Sequence, residues 1–512
     1  MKRPIIFIMI LAFLSSSIGG AQEATALYFD KDAFIASADV KTELKIGMVD
    51  CVAMALKNNT EVQIKKITPK IADANVLVQG AKFDPSLNFE WLMEENFELS
   101  DRPLFSPNPS KTRTATFNFG YDQQLITGTQ LSLALDNLRT RSNANPAIQG
   151  FNPSFDSVAE VTVTQPLLKG FGIVVAQADF LIAKNNKLKS VQELTRDIIR
   201  VLTEVKKNYY DLMYTREQYR VAKTSLERVE NLYYINKEKY AKGLASNVDL
   251  LESESEVARM EQAVAAAEGI MENSEDKLKL VTNLVDDPAF WNARITLIDE
   301  LSYEKTELKL TDEILKAFGH RPDYETAKLD LKNKDISVVY YKNGMLPQMD
   351  LVGTYGLNGL GKTIEKDWGH VGGGHYPDWS VGVNFTMPLG SDKERGQYRQ
   401  SKLEKEQAII GFKELEHNII LQVRDAVRNV GVTYRMLAAS KKSKEAEEKN
   451  YEAQETRFRA GLVSTLDIVI YQERLARAQV NYAKSVIDYN TALIELAKAE
   501  GMTLINDGIT IE

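Results

Sequence analysis

One cysteine, four histidines and a deficit of positive charge leave this 512-residue chain short of several common chemistries. Cys51 alone cannot close an internal disulfide, and no Cys/His cluster of metal-ligand spacing can form around it. It lies well past the N-terminus on an expected helix, where it cannot carry an N-terminal lipid, and reads as a small buried apolar residue. With 63 Lys and Arg against 71 Asp and Glu, the net charge of -8 argues against nucleic acid as a partner. Long apolar runs are also missing, with one exception. Ile5 to Leu14 follows Lys2 and Arg3 and leads through Ser15 to Gly20 into Ala21, with Gly19 and Ala21 at small-residue cleavage positions. That is the pattern of a secretory signal peptide over residues 1–21, too short for the ~20 residues of a membrane-spanning helix. Any later crossing of a bilayer then falls to strands.

What the chain does have is an internal duplication. At an offset of 262, "MVDCVAMALKNNTEV" from Met48 lies over "LTDEILKAFGHRPDY" from Leu310, pairing Asp50 with Asp312 and Pro85 with Pro347. At 222, "VTVTQPLL" from Val161 lies over "VNFTMPLG", pairing Pro166 with Pro388. At 218, Gly243 pairs with Gly461, Asp249 with Asp467 and Arg259 with Arg477. The order is the same in both copies, and the change of offset leaves 40 extra residues between the first and last strands of the first copy.

Each copy reads helix, strands, long helix, turn, helix. Val52 to Lys82 is expected to be helical up to Pro85, which excludes the preceding residue from helical backbone. Leu87, Phe89, Trp91 and Met93 then alternate with polar neighbours. So do Phe117, Phe119 and Tyr121, Leu131, Leu133 and Leu135, and Val161 and Val163. The second copy supplies Met349, Leu351 and Tyr355, then Trp379, Val381, Val383 and Phe385. Strands with one apolar and one polar face, in an exported chain, suit an outer-membrane barrel with lipid outside and a polar lumen. The 40 extra residues hold two strands joined at "ITGTQ" from Ile126, giving the first copy four strands to the second's two.

The segment from about Ile173 to Lys242 reads as one long helix. Val191, Ile198, Val205, Leu212, Tyr219, Leu226, Tyr233 and Tyr240 recur every seven residues as a coiled-coil seam ending at Gly243. The corresponding seam of the second copy is less regular, with Glu416 and Lys444 at seam positions.

"VTQPLLKGFG" from Val163, "HRPDYETA" from His320 and the two turns "KGLASNVDLLESE" and "AGLVSTLDIVIYQE", in this order within a duplicated chain, resemble the TolC family of outer-membrane efflux and secretion channels. The resemblance covers essentially the whole chain after the signal. It implies an α+β membrane protein built from a duplicated unit, in which a homotrimer shares an outer-membrane β-barrel continued by a long periplasmic α-helical coiled-coil barrel. The expected organisation is a signal peptide at 1–21 and an N-terminal periplasmic segment at 22–47. The first repeat follows at 48–284, with strands at 86–166 and a hairpin tip at 243–246. A linker at 285–309 leads to the second repeat at 310–500, with strands at 348–388 and a tip at 461–464, and the tail is 501–512.

The implied activity is passive conduction from a periplasmic adaptor and an inner-membrane RND or ABC transporter to the exterior of a Gram-negative cell, with no cofactor and no catalysis. Gly243, Leu244 and Ser246, with Gly461, Leu462 and Ser464, would form the periplasmic tips that meet the adaptor; Asp249 and Asp467 would narrow the tunnel at its aperture, or cap the helices that follow. Two departures limit the likeness. Ile470 stands where the family pattern has a second aspartate, and Val463 replaces a basic residue of the second tip.

Two other readings compete. A periplasmic coiled-coil adaptor would lack lipid-facing strands, and an exported enzyme would need a catalytic constellation that the sequence does not assemble. "GLNGLGKT" from Gly356 matches the phosphate-loop pattern, but "IEKDWGHVGGGHYPDW" after it shows neither the period nor the length of the helix such a loop requires. The segment is expected to be an extracellular loop, with His370 and His375 solvated.

Overall fold

A computed structural model describes residues 43–99, 107–143, 150–284, 290 and 293–510; the expected signal peptide and most of the N-terminal periplasmic segment lie outside them. Six strands form one antiparallel sheet: β2 (Ser86–Glu98), β3 (Ser110–Gln124), β4 (Gln130–Ser142), β5 (Ser154–Pro166), β7 (Gln348–Gly361) and β8 (Pro377–Thr386), adjacent in that order. Both copies therefore contribute to a single sheet. Its register aligns Leu87, Tyr121, Leu133, Val161, Tyr355 and Trp379 in one row across all six strands. Directly opposed residues share a face, so this row and its neighbours make the apolar belt expected from the alternation. The 40 extra residues enter the sheet as the hairpin β3–β4, rather than projecting from it.

All helices of the long body hang from one end of this sheet. Helix α1 (Met48–Asn58) and α2 (Thr60–Gly80) precede β2; α3 (Ile173–Ala176), α4 (Ala178–Ala241) and α5 (Asn247–Thr282) follow β5. After a short strand β6 (Arg294–Leu297), paired in parallel with β1 (Glu43–Ile46), the pattern repeats as α6 (Leu310–His320) and α7 (Pro322–Gly344) before β7. Then α9 (Asp392–Arg459), α10 (Thr465–Glu500) and α11 (Thr503–Asn506) follow β8, while α8 (Ile364–Gly373) lies between β7 and β8. At ~1.5 Å per residue, the 64 residues of α4 reach roughly 95 Å. Among the described residues, no helix is long and apolar enough to cross a membrane.

Two helix expectations need correction. The first helix is broken at Asn59, whose extended ψ of 121° ends α1 while its side chain accepts from Val62 N and starts α2. A second break at Gln177 separates α3 from α4. The seam of α4 also drifts. Ile198, Val205 and Leu212 are buried as expected, but beyond them the buried positions step through Val221, Ser225, Val229, Leu232 and Asn236, leaving Tyr240 exposed. A helix of 3.6 residues per turn falls out of phase with a seven-residue repeat unless it supercoils to follow it.

The core sits at the waist. Leu202, Val205, Tyr209 and Leu212 of α4 pack with Cys51 and Ala55 of α1, Leu278 of α5 and Ile295 of β6. Burial, with the charges of Asp50 and Asp299 adding, pushes the Cys51 thiol up to about 12, so it stays protonated and inert. Asp299 accepts from the Tyr209 hydroxyl at 2.6 Å and from Met48 N at 2.8 Å, tying the segment just after β6 to α4 and to the start of α1.

At the waist the shorter helices of each copy meet end to end. Asn59 Nδ2 donates to Val281 O at 2.7 Å in the first copy, and Arg321 Nη1 donates to Ala499 O at 2.9 Å in the second. Beside the second junction, Glu500 and Glu313 are both buried. Burial, and then the neighbouring Glu313 carboxyl, push Glu500 up to about 8 from its ordinary 4.5, against the weaker pull of Lys316. A carboxyl raised in the folded state favours folding below its unfolded value, and stability is lost as pH climbs through the window between the two. Thermal melts should therefore show a midpoint that falls from about pH 5 to about pH 8 and a flatter profile for Glu500→Gln; parallel profiles would contradict the assignment.

The glycine-rich segment is neither a phosphate loop nor the open loop expected from sequence. Strand β7 runs through Gly361, and Gly356 and Gly359 take ladder positions opposite Glu160 and Ser157. The helix whose absence had argued against the motif does exist, as α8. A Cβ on Gly359 would stand 2.5 Å from Asp367 O, so the glycines let α8 lie on the sheet instead of cradling a phosphate. Asp367 accepts from Ser157 Oγ, and Trp368 Nε1 donates to Asn137 Oδ1 at 2.9 Å. His370 donates Nδ1–H to Leu360 O at 3.0 Å.

Candidate functional site at the helical tips

The end of the helical body farthest from the sheet consists of two nearly identical turns. In the first, Gly243 takes φ 72°, and Leu244 N closes back on Lys239 O at 2.8 Å. In the second, Gly461 takes φ 75°, and Leu462 N bonds to Arg457 O at 2.9 Å. A left-handed residue at this position ends a helix with its last carbonyls satisfied, and glycine adopts it without a Cβ penalty.

Each turn delivers the chain to a capping box. Ser246 Oγ accepts from Asp249 N at 3.1 Å, while Asp249 Oδ2 accepts from Ser246 N at 3.0 Å. Ser464 and Asp467 repeat the arrangement at 3.2 Å in both directions. The serines are thus the N-cap residues and the aspartates occupy the third helical position, a correction to the expected assignment of the cap to Asp249 and Asp467. Hydrogen bonds from Ser246 and Ser464, hydroxyl first and backbone second, hold both carboxyls below the usual range. Both remain ionised at neutral pH, Asp467 exposed and Asp249 half-buried at the end of the body.

The turns leave leucines in solvent. Leu244 is 75 % exposed and Leu462 70 %, and Val248, Leu251 and Leu466 continue the apolar strip onto α5 and α10. Between these helices runs an open groove of about 430 Å³, with Val248, Leu251, Leu466 and Val469 on its walls.

Sequence reasoning missed what holds the two tips side by side. Leu232 of α4 packs with Tyr451 and Phe458 of α9 and Ile468 and Leu475 of α10. Asn236 Nδ2 donates to Thr465 Oγ1 at 3.0 Å in a buried contact. Lys239 lies 4.6 Å from the centre of the Phe458 ring, and Arg259 bridges Glu256 and Glu473. The only signal in the sequence was a buried-seam position, Asn236, occupied by a polar residue. Among the described residues, no group of three or more His, Cys, Asp or Glu gathers to hold a metal.

Comparison with known proteins identifies the family. The model of the outer membrane efflux protein family matches residues 129–284 and again 314–502, one match in each copy. The chain belongs to the outer membrane efflux protein family. Members of this family are channels rather than enzymes, and its place is the outer membrane of Gram-negative bacteria. Among curated relatives, the pyoverdine export outer membrane protein OpmQ of Pseudomonas aeruginosa is 19% identical over 283 residues; that alignment covers 54% of this chain and 56% of OpmQ. The chain thus matches little more than half the length of that relative. The outer membrane channel CmeC of Campylobacter jejuni superposes with a TM-score of 0.62 at 18% identity, over 89% of this chain and 86% of CmeC. The outer-membrane channel OprN gives 0.63 at 13% identity, over 92% and 96%. At such identities the likeness establishes the fold, which is TolC-like, and no particular cargo.

Proposed function

We propose that three copies of this chain form an outer-membrane exit channel, passively conducting substrates delivered by an inner-membrane RND or ABC transporter through a periplasmic adaptor. The observation that carries the proposal is a sheet that cannot exist alone in a membrane. Every residue of β2 and β8, its two edges, is exposed, and unpaired edge hydrogen-bonding groups are not tolerated in lipid. Pairing β8 of one copy with β2 of the next removes both edges. Three copies of six strands give eighteen, a barrel wide enough to leave an aqueous lumen. The lipid-facing row also weighs against the adaptor alternative.

In this assembly the tips point into the periplasm. Gly243, Leu244 and Ser246, with Gly461, Leu462 and Ser464, offer an apolar strip to an adaptor hairpin, while Asp249 and Asp467 line the approach to the aperture. With Ile470 one turn on, Asp467 supplies the acidic ring without a second aspartate behind it.

Light scattering on protein extracted from the outer membrane should give the mass of three chains, collapsing to one on boiling; a soluble periplasmic monomer would overturn the channel. In planar bilayers, Asp467→Ala should reduce cation preference and blocking by divalent cations. Unchanged selectivity would remove Asp467 from the aperture while leaving the channel intact.

A further inference from the structure

The outer face of the sheet changes character abruptly at the end remote from the helices. On β4, Leu131, Leu133 and Leu135 give way to Asn137, Arg139 and Arg141 on the same face; on β3, Phe119 and Phe117 give way to Arg113 and Lys111. The lumen face of the same stretch carries Thr112, Thr114 and Thr140, with Glu94 opposite Thr114. Positive charge is therefore confined to the face that continues the lipid belt.

Arg113 and Arg141 are directly opposed across the β3–β4 ladder. Like charges in that position destabilise a sheet unless an anion lies between them. Among the described residues, Glu95, opposite Arg113 on β2, is the one carboxylate in ion-pair contact with them, 2.7 Å from Arg113 and 2.9 Å from Lys111. Arg139 lies 5.8 Å from the centre of the Phe155 ring. Among the described residues, neither Arg139 nor Arg141 has an ion-pair partner, and both are exposed. Four cations thus share one ion-paired carboxylate; Asp367 of α8 lines the same notch as Arg139, but its carboxylate is engaged by Ser157 Oγ. Directly beside them, a notch of about 170 Å³ opens between Trp91, Phe117, Phe155 and Ile364, the last on α8.

We infer that Arg113, Arg139 and Arg141 form a docking surface for a phosphate-bearing glycolipid of the outer leaflet, its phosphates held by the guanidinium forks and its acyl chains lying along the belt. The chemistry fits on both counts. Guanidinium groups bind phosphate bidentately, and the cluster sits where headgroups meet the hydrocarbon boundary, so the same ligand satisfies the charge and covers the apolar row below. A free anion would satisfy only the charge. The inference rests on the strands spanning the outer membrane, not on conduction.

The test uses full-length protein in detergent, with diphosphorylated lipid A as the probe and native mass spectrometry as the readout. Arg139→Ala with Arg141→Ala is expected to weaken lipid binding at least roughly tenfold, and removing the lipid's phosphates should weaken it similarly for the unmodified protein. Arg139→Lys with Arg141→Lys should keep most of the binding, which separates charge from folding if the alanine pair assembles poorly. Undiminished binding by the alanine pair, equal binding of the phosphate-free lipid, or displacement by excess inorganic phosphate would each overturn the proposal. Single-channel conductance of the lysine pair should match the unmodified protein, so failure here is distinguishable from failure of the channel.

Discussion

Leu244→Asp combined with Leu462→Asp is expected to abolish capture of this protein by an adaptor that binds the unmodified protein, without altering the mass of the detergent-extracted assembly. Neither leucine has a folding role to lose, since each projects from a glycine turn whose conformation is set by Gly243 or Gly461. Each would instead serve as an apolar anchor in the contact. Anchors of this kind are worth ~2 kcal/mol or more apiece, so the pair should weaken docking at least roughly a hundredfold even allowing for non-additivity. Immobilised adaptor and surface plasmon resonance would read this directly. Binding that survives both substitutions would move the docking surface away from the tips, toward the groove walls at Val248 and Leu251.

Gly501→Ala is expected to have the largest effect on stability. Gly501 ends α10 at φ 75°, and a Cβ there would stand 2.6 Å from His320 O and 2.8 Å from His320 C. Both are backbone atoms at the junction of α6 and α7, where Arg321 bonds to Ala499 O and Gln422, so they have little room to yield. The left-handed backbone costs ~1–2 kcal/mol for a non-glycine residue, and the clash brings the total to about 3 kcal/mol or more. Gly243→Ala is the matched control. It has nearly the same φ, but nothing lies within 4 Å of the added carbon, so only the backbone cost applies. The temperature at which the assembly falls to single chains on a gel should drop clearly for Gly501→Ala and slightly for Gly243→Ala; equal drops would mean that the waist contact is dispensable.

Much of this architecture is legible in the chain because its cues are local. Alternation from Leu87 to Met93 marks a strand whatever its neighbours, and the paired glycines at 243 and 461 mark helix ends because few other residues tolerate that backbone. Other features depend on partners distant in sequence. Asn59 reads as one more polar residue in a helix until its side chain is seen to cap α2 and to bond Val281 O. The seam of α4 was misread beyond Leu212 because α10 arrives there from the other copy, placing Thr465 against Asn236. "GLNGLGKT" looked like a loop because glycines are flexible in isolation; in the sheet they are the flat strip on which α8 lies.

The sequence by itself determined the duplication, the strand and helix order, the apolar belt and the two tips, since each is written in periodicity or in residues with special backbone freedom. Only the tertiary structure decided that both copies share one sheet and that the extra hairpin lies in it. It alone brought Arg113 opposite Arg141 on the lipid face. Strand register pairs residues tens of positions apart and cross-copy packing pairs residues more than a hundred apart, and no local pattern encodes which of them will meet.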